Sequence, residues 1–479
     1  MLLLSDIHFD PFHDPSKLDA LRDAPIDKWA AILSAPASPT MATAYAQLQG
    51  KCATRGVDTP FPLLQDSLMA AHTRQPHPLF ITVSGDIMAH AFDCRFHTLA
   101  PKATEAEYSD FAAKTIAFVA LQLHHHFPAT PAYLALGNND SGCTDYHETP
   151  NSPFLQANAQ TFADAALNPA NSAAILSSFP EFGDYNIPLP APIRNARLIV
   201  LQDIFQSKAY GPCPGTKIAS TQAPATAQLA WLRDQLTQAR EHHQHVWVMA
   251  HIPPGVDPYT TLRSSVDVCA GKPPAMFLRN EALAATLADF PDVIRLVLFA
   301  HSHMDEIRLI ESPEEPKPGA TPGLEAAIPV KFISSISPVD GNLPSFTVAE
   351  VSPATATLKD YTVFSANSQA ASAWMQPPSW REEYRYSTTF HLPDFSAASV
   401  AKLSARFLSD KTGTSPSEIA YEEHYFISDG SLSATLKQAA LQFVWPKYAC
   451  AIAQSSIAGY TTCACPITDK PAPKPVSQP

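Results

Sequence analysis

Residue types that bind metal ions follow five short apolar runs of this sequence, each at the point where the run ends. They are Asp6 with His8, Asp86, Asn138 with Asn139, His251, and His301 with His303. Carboxylate, imidazole and amide oxygen groups are the donors that divalent cations prefer. Each position alone would be an ordinary turn or helix-cap residue. Five together indicate one metal site.

The local spacing supports shared binding. Side chains two residues apart on an extended chain point to the same face, so Asp6 and His8 form one pair and His301 and His303 another. Gly85 precedes Asp86 and permits a tight turn that presents the carboxylate.

The apolar runs themselves predict buried strands, because they are short and rich in branched or aromatic residues. They span residues 2–4, 79–83, 132–136, 198–201, 246–249 and 294–299. Helical patterns at 108–125 and 226–242 lie between some of them, and three further strands are predicted near 329–335, 345–351 and 356–364. This alternation predicts an α/β fold whose strand ends gather the polar side chains at one edge.

The C-terminal part differs in character. Residues 380–386 are aromatic and charged, and residues 396–408 and 415–428 have helical patterns. We therefore predict a catalytic domain over 1–370, a small helical subdomain over 371–467 and a disordered Pro/Lys-rich tail over 468–479.

The motif order D-x-H, G-D, G-N-x-D, H and H-x-H resembles that of calcineurin-like metallophosphoesterases. Four segments are similar in sequence to those of the acid sphingomyelinase-like branch of this family. They are SDIHFDP at 5–11, GDIMAH at 85–90, AHIPPG at 250–255 and AHSHMDE at 300–306. GNND at 137–140 also resembles endopolyphosphatases. The resemblance implies a β-sandwich flanked by helices.

It also implies a ligand set for two divalent cations, zinc with iron or manganese as alternatives. The first would be held by Asp6, His8, Asp86 and His303, and the second by Asp86, Asn138, His251 and His301. Asp86 would bridge the two ions, which would activate a hydroxide for in-line attack on phosphorus. No protein nucleophile is then required.

Asn139 departs from the family pattern, which usually has a histidine there that contacts the phosphate or protonates the leaving group. An asparagine cannot be a general acid. The enzyme would then favour good leaving groups, use another histidine, or be catalytically weak. His90 in GDIMAH is the best substitute, and its alternative role is that of a packed loop histidine.

The amino-acid composition limits the possible binding partners and the cellular compartment of the protein. The formal net charge of −13 argues against stable nucleic-acid binding, and no apolar run is long enough to span a membrane. The eight cysteines favour disulfides in a secreted or periplasmic protein over buried free thiols in a cytosolic one. We predict at least one disulfide within 450–465, with Cys463 and Cys465 bound to different partners.

These observations predict a monomeric hydrolase of phosphodiester or phosphoanhydride bonds in small phosphorylated substrates. Soluble nucleotides lead, followed by phosphocholine esters and polyphosphate. A protein that binds metal and phosphate without turnover is the alternative.

Overall fold

The computed structural model describes residues 1–54, 56–218, 220–264, 266–312, 327–368, 378–428 and 432–465. The predicted domain boundary at 370 and the predicted tail lie outside these ranges, so both stay predictions. No helix within them is long and apolar enough to cross a membrane.

Two six-stranded sheets form the centre of the molecule. The strands are β1 (Leu2–Leu4), β2 (Ile81–Ser84), β3 (Ala132–Ala135), β4 (Tyr185–Pro188), β5 (Ala196–Val200), β6 (His245–Met249), β7 (Ile294–Phe299), β8 (Glu306–Glu311), β9 (Ala327–Phe332), β10 (Ser345–Val351), β11 (Leu358–Ala366) and β12 (Trp380–Arg385). The first sheet has the order β12-β11-β10-β1-β2-β3 and the second β4-β5-β6-β7-β9-β8. The predicted α/β architecture, two sheets flanked by helices, is confirmed.

The site depends on the parallel part of each sheet. Strands β1, β2 and β3 run parallel, as do β5, β6, β7 and β9, while the outer strands pair antiparallel. Parallel strands bring their carboxyl ends to the same edge of a sheet. The loops that follow β1, β2 and β3 therefore lie along one rim, that of the first sheet, and the loops that follow β6 and β7 lie along a second rim, that of the second sheet.

Alternating side chains of the second sheet fill two different cores. Trp247 and Met249 on β6 pack with residues of the first sheet, whereas Val246 and Val248 belong to a separate apolar cluster with Leu232 of the helical layer. Strand side chains alternate between faces, so a sheet buried on both sides needs apolar residues at every position. This explains the continuous apolar runs.

Sixteen α-helices surround the sheets in the described part of the chain. They are α1 (Leu18–Asp23), α2 (Trp29–Ser34), α3 (Met41–Lys51), α4 (Phe61–Arg74), α5 (Phe92–Leu99), α6 (Glu105–His126), α7 (Pro153–Ala165), α8 (Pro169–Phe182), α9 (Gln222–Glu241), α10 (Pro258–Arg263), α11 (Ala282–Ala288), α12 (Tyr386–Phe390), α13 (Ala397–Ser409), α14 (Pro416–Tyr425), α15 (Leu432–Ala453) and α16 (Ile457–Ala464). Capping residues in the sequence determine where some of these helices begin. At α6, for example, the Thr104 hydroxyl accepts from the Glu107 N–H and the Glu107 carboxylate accepts from the Thr104 N–H.

The C-terminal helices pack on the second sheet. Helices α13 and α15 contact β8, and α13 also contacts β9. The aromatic and charged segment before them forms β12, which pairs with β11 at the edge of the first sheet. The described C-terminal elements, from β12 to α15, are therefore in contact with both sheets.

Four disulfides pair all eight cysteines: Cys52–Cys94, Cys143–Cys213, Cys269–Cys465 and Cys450–Cys463. The predictions of a bridge within 450–465 and of different partners for Cys463 and Cys465 are confirmed. Such bridges are typical of proteins from oxidising compartments.

Candidate metal centre

Asp6, His8 and Asp86 stand in the loops that follow β1 and β2. Their backbones adopt left-handed conformations, with φ values of 44°, 44° and 52°. Non-glycine residues rarely adopt this region, and they cluster at functional sites when they do. Gly85 has φ of 93°, and a Cβ there would lie 2.9 Å from the Gly137 nitrogen, so the predicted tight turn requires glycine.

The rim of the second sheet supplies histidines. His251 follows β6, and His301 and His303 follow β7 with φ values of 70° and 64°. His301 Nδ1 lies 3.3 Å from His251 Nε2, and the His301 N–H points at Asp6 Oδ1 over 3.3 Å.

The two rims meet closely. His8 Nε2 lies 3.1 Å from His303 Nε2 and 3.5 Å from Asp86 Oδ2, which is itself 3.1 Å from His251 Nε2. Donor atoms of Asp6, His8 and Asp86 fall within 4.8 Å of one another, as do those of Asp86, His251 and His301. Asp86 belongs to both groups.

Backbone carbonyls orient two of the imidazoles. His8 Nδ1 donates to the Met88 carbonyl over 2.9 Å, and His251 Nδ1 donates to the Ser84 carbonyl over 2.8 Å. Each bond leaves Nε2 as the nitrogen that faces the cluster, as for histidines that bind metal.

The donors fit cations. Asp6 Oδ2 and Asn138 Oδ1 are buried with no hydrogen-bond partner among the described residues, a costly state for acceptors unless something binds them. Burial lowers the pKa of His301 and His303 to about 3, which keeps both imidazoles in the neutral form that binds metal. Burial would also lower the pKa of His251, but the adjacent Asp86 carboxylate raises it to about 10.

Asn138 and Asn139 donate hydrogen bonds to different carboxylates. Asn138 Nδ2 donates to Asp145 Oδ1 over 2.9 Å, which directs its oxygen away from that carboxylate. Asn139 donates to both oxygens of Asp86, from its backbone N–H and from Nδ2, each over 2.8 Å. The Asn139 side chain is thus bonded to the carboxylate shared by both donor groups.

His90 lies beside the cluster. Its ring stacks on His8 with centroids 3.9 Å apart, and its Nδ1 donates to Asp58 Oδ1 over 2.8 Å. Burial opposes a charge on His90, but Asp58 outweighs it and raises the His90 pKa to about 9. All predicted site residues therefore lie in or next to one cluster.

Sequence reasoning missed several neighbours of the cluster. Asp58 and Arg95 have no motif, while Asp10 sits inside SDIHFDP and carried a signal that was available. Asp203 accepts from the Ile252 N–H over 3.1 Å and so holds the loop of His251. Tyr146 Oη lies 3.5 Å from His301 Nε2.

Comparison with known proteins agrees with this geometry. The calcineurin-like phosphoesterase family profile matches residues 1–305. Human acid sphingomyelinase-like phosphodiesterase 3b is 26% identical over 476 residues, covering 96% of this chain and 89% of its own length. Cyclic GMP-AMP phosphodiesterase SMPDL3A of Bos taurus is 23% identical over 356 residues, covering 74% of this chain and 72% of its own. Sphingomyelinase phosphodiesterase D of Dictyostelium discoideum is 25% identical over 340 residues, covering 70% of this chain and 67% of its own length.

The family match spans well over half of the chain, and the relatives that share most of its length are named as phosphodiesterases. This chain therefore belongs to the calcineurin-like phosphoesterases.

Proposed function

We propose that this chain hydrolyses phosphodiester or phosphoanhydride bonds of small soluble substrates at a centre for two divalent cations. The observation that carries the proposal is the position of Asp86. Its carboxylate lies within 3.5 Å of His8 from the first rim and 3.1 Å of His251 from the second. A carboxylate between two such donor groups suits a bridging ligand.

Asp6, His8, Asp86 and His303 would hold one cation, and Asp86, Asn138, His251 and His301 the other. When bound, the two cations would lower the pKa of a water and offset charge on the phosphoryl group. The number of imidazoles suits zinc, with iron or manganese as alternatives.

The chain's own residues would do the remaining work. His8 and His251 are held by backbone carbonyls, so the donor set is oriented before a substrate arrives. Asn139 holds Asp86 in place, and it carries no proton to give to a leaving oxygen. His90, whose side chain is 34% exposed, is the candidate to donate a proton to the leaving oxygen.

Soluble nucleotides are the proposed substrate class, with phosphocholine esters second. One relative is named for a cyclic nucleotide, which supports the first class, and others are named as sphingomyelinase-like, which supports the second. The four disulfides support a secreted or periplasmic site of action.

A hydrolysis panel tests the proposal. It would use bis-p-nitrophenyl phosphate, ATP, CDP-choline, a cyclic dinucleotide, sphingomyelin and polyphosphate with added zinc or manganese. We expect turnover of nucleotide substrates that Asp86→Ala abolishes. Asp19→Ala is the matched control, because its side chain is 83% exposed on α1.

Three results would change the proposal. Cleavage of polyphosphate alone would favour an endopolyphosphatase-like activity. Cleavage of sphingomyelin alone would move the substrate to lipids. Phosphate binding with no turnover of any substrate would indicate a binding protein.

A further inference from the structure

We infer that a buried cluster between the two sheets positions His303 and thereby sets how tightly the first cation is held. The cluster consists of Asp305, Lys331, Tyr361 and Tyr384, and we call it the inter-sheet cluster. The inference rests on the proposed function and adds to it the residues that place one of the proposed metal ligands.

His303 lacks the hydrogen bond that orients two other imidazoles of the site. His8 and His251 each bond to a backbone carbonyl through Nδ1, whereas Nδ1 of His303 is buried and makes no hydrogen bond to any described residue. The Asp340 carboxylate lies 3.4 Å from this nitrogen but is 57% exposed, and exposed charge pairs contribute little. The backbone of His303 is also left-handed, with φ of 64°, a conformation that persists only where its surroundings enforce it. The position of His303 therefore depends on what holds its backbone.

One chain segment, residues 331–337, runs from the end of β9 past both rims. The Ser335 N–H donates to the His303 carbonyl over 3.2 Å, and the Ser337 N–H donates to the Asp6 carbonyl over 3.0 Å. Because Asp6 belongs to the first rim, this segment joins proposed ligands from both rims. The placement of His303 relative to Asp6 thus depends on how the segment is held.

A buried ion pair holds the start of that segment. Lys331 Nζ donates to Asp305 Oδ1 over 2.6 Å and to the Phe332 carbonyl over 2.8 Å. Lys331 is fully buried and Asp305 is 3% exposed, and losing one partner of such a pair is strongly destabilising. Asp305 lies two residues after His303, and its own N–H donates to the Tyr425 carbonyl over 3.0 Å. The ion pair therefore holds the chain directly after His303.

Two tyrosines connect this ion pair to the first sheet. Tyr384 of β12 donates from Oη to Asp305 Oδ1 over 2.7 Å, and its Oη lies 3.1 Å from Oη of Tyr361 on β11. The Tyr361 ring also faces Lys331, with Nζ 4.9 Å from the ring centroid, which is within the range of a cation–π contact. Strand β9 belongs to the second sheet, whereas β11 and β12 belong to the first. The inter-sheet cluster therefore fixes one sheet relative to the other next to His303.

The two cations should respond differently to a change in this cluster. His303 is in the proposed ligand set of the first cation and absent from that of the second. A small displacement of His303 should therefore weaken binding of the first cation selectively. Residues that orient a metal ligand without touching the metal are typically worth about 10–100-fold in metal affinity.

Zinc competition with a chromogenic chelator tests the inference on the full chain. Tyr384→Phe removes the hydroxyl that bonds to Asp305 and keeps the ring. We expect it to weaken binding of one of the two zinc ions by at least about 10-fold and to change the other by less than about twofold. Tyr386→Phe is the matched control, because the Tyr386 hydroxyl is also buried but makes no hydrogen bond to any described residue. This control should bind both ions as the wild type does.

Double variants identify which ion is affected. In a His303→Ala background, Tyr384→Phe should cause no further loss of zinc affinity, because the hydroxyl acts through His303. In an Asn138→Ala background, which removes a proposed ligand of the second ion, Tyr384→Phe should keep its full effect. Replacing Cys450 and Cys463 by serine is a control for general destabilisation, since it opens the disulfide between α15 and α16 and should leave zinc affinity unchanged.

Other outcomes would contradict the inference. Equal weakening of both zinc ions by Tyr384→Phe, or similar weakening in the cysteine variant, would show that the cluster supports the fold only. Wild-type affinity in Tyr384→Phe would show that the hydroxyl does not position His303, and an additive loss in the His303→Ala background would assign the effect to another ligand. If Tyr384→Phe does not fold, Tyr361→Phe takes its place, with the same selective loss expected. A wild-type protein that binds fewer than two zinc ions would contradict the proposed function instead.

Discussion

The two rims that form the site contribute different chemistry. The first sheet provides both carboxylates, the amide and the His8 imidazole of the proposed ligand set, whereas the second provides three imidazoles. Buried carboxylates carry charge that needs a partner, while buried imidazoles at His301 and His303 stay neutral. The negative charge that attracts cations thus comes from the first sheet, whereas the second contributes imidazoles only. Neither sheet alone would make the site.

The largest expected effect comes from the residue that joins the rims. Asp86→Ala removes the carboxylate that contacts His8 and His251, so the protein should lose both cations and its activity should fall by more than about 10³-fold, since bound cations supply several kcal/mol of transition-state stabilisation. Elemental analysis and the nitrophenyl assay measure this. Retention of two cations per chain would show that the rims bind metal independently.

A substitution at Asn139 tests how the first rim contributes to departure of the leaving group. Asn139→His should accelerate substrates with poor leaving groups by up to about 10²-fold and leave nitrophenyl esters nearly unchanged, because general acid catalysis helps only leaving groups that need a proton. Rates across aryl esters of graded leaving-group pKa measure this. No selective gain, together with a shallow dependence in the wild type and in His90→Ala, would mean that the proton comes from elsewhere.

A bridge near the second sheet should affect stability rather than chemistry. Replacing Cys450 and Cys463 by serine opens a bridge with a sequence separation of 13 residues, which joins α15, a helix that contacts β8, to α16. We expect unfolding free energy to fall by about 2–4 kcal/mol with little change in kcat. Urea unfolding measures the loss. An equal loss of activity would show that these helices shape the site.

The smallest effect should come from Ser302 on the second rim. Its neighbours His301 and His303 face the cluster, while its hydroxyl accepts from the Met304 N–H over 3.4 Å. Ser302→Ala should change stability by less than about 0.5 kcal/mol and leave metal content and rate unchanged. A clear loss of metal would indicate that the hydroxyl orients the rim.

Strands β8 and β12, which were not predicted, show where apolar patterns in the sequence fail to indicate a strand. Strand β12 lies at the edge of the first sheet and buries one of its six residues, Tyr384, so it contains no apolar run. Strand β8 begins at the last residue of the AHSHMDE motif, and the sequence pattern predicts no strand there. An edge strand is defined by the strand it pairs with, which is β11 for β12 and β9 for β8, and its own residues need not form an apolar run.

The sequence by itself determined the fold class and the candidate ligands. Each ligand lies within a few residues of a buried strand, and burial on both faces produces apolar runs that can be read directly. Only the tertiary structure decided the partners of those ligands. Asn139 bonding to Asp86, Asp58 bonding to His90 and Cys269 bridging to Cys465 each join segments that are far apart along the chain. No local pattern encodes such contacts, because they depend on how the two sheets and their loops pack together.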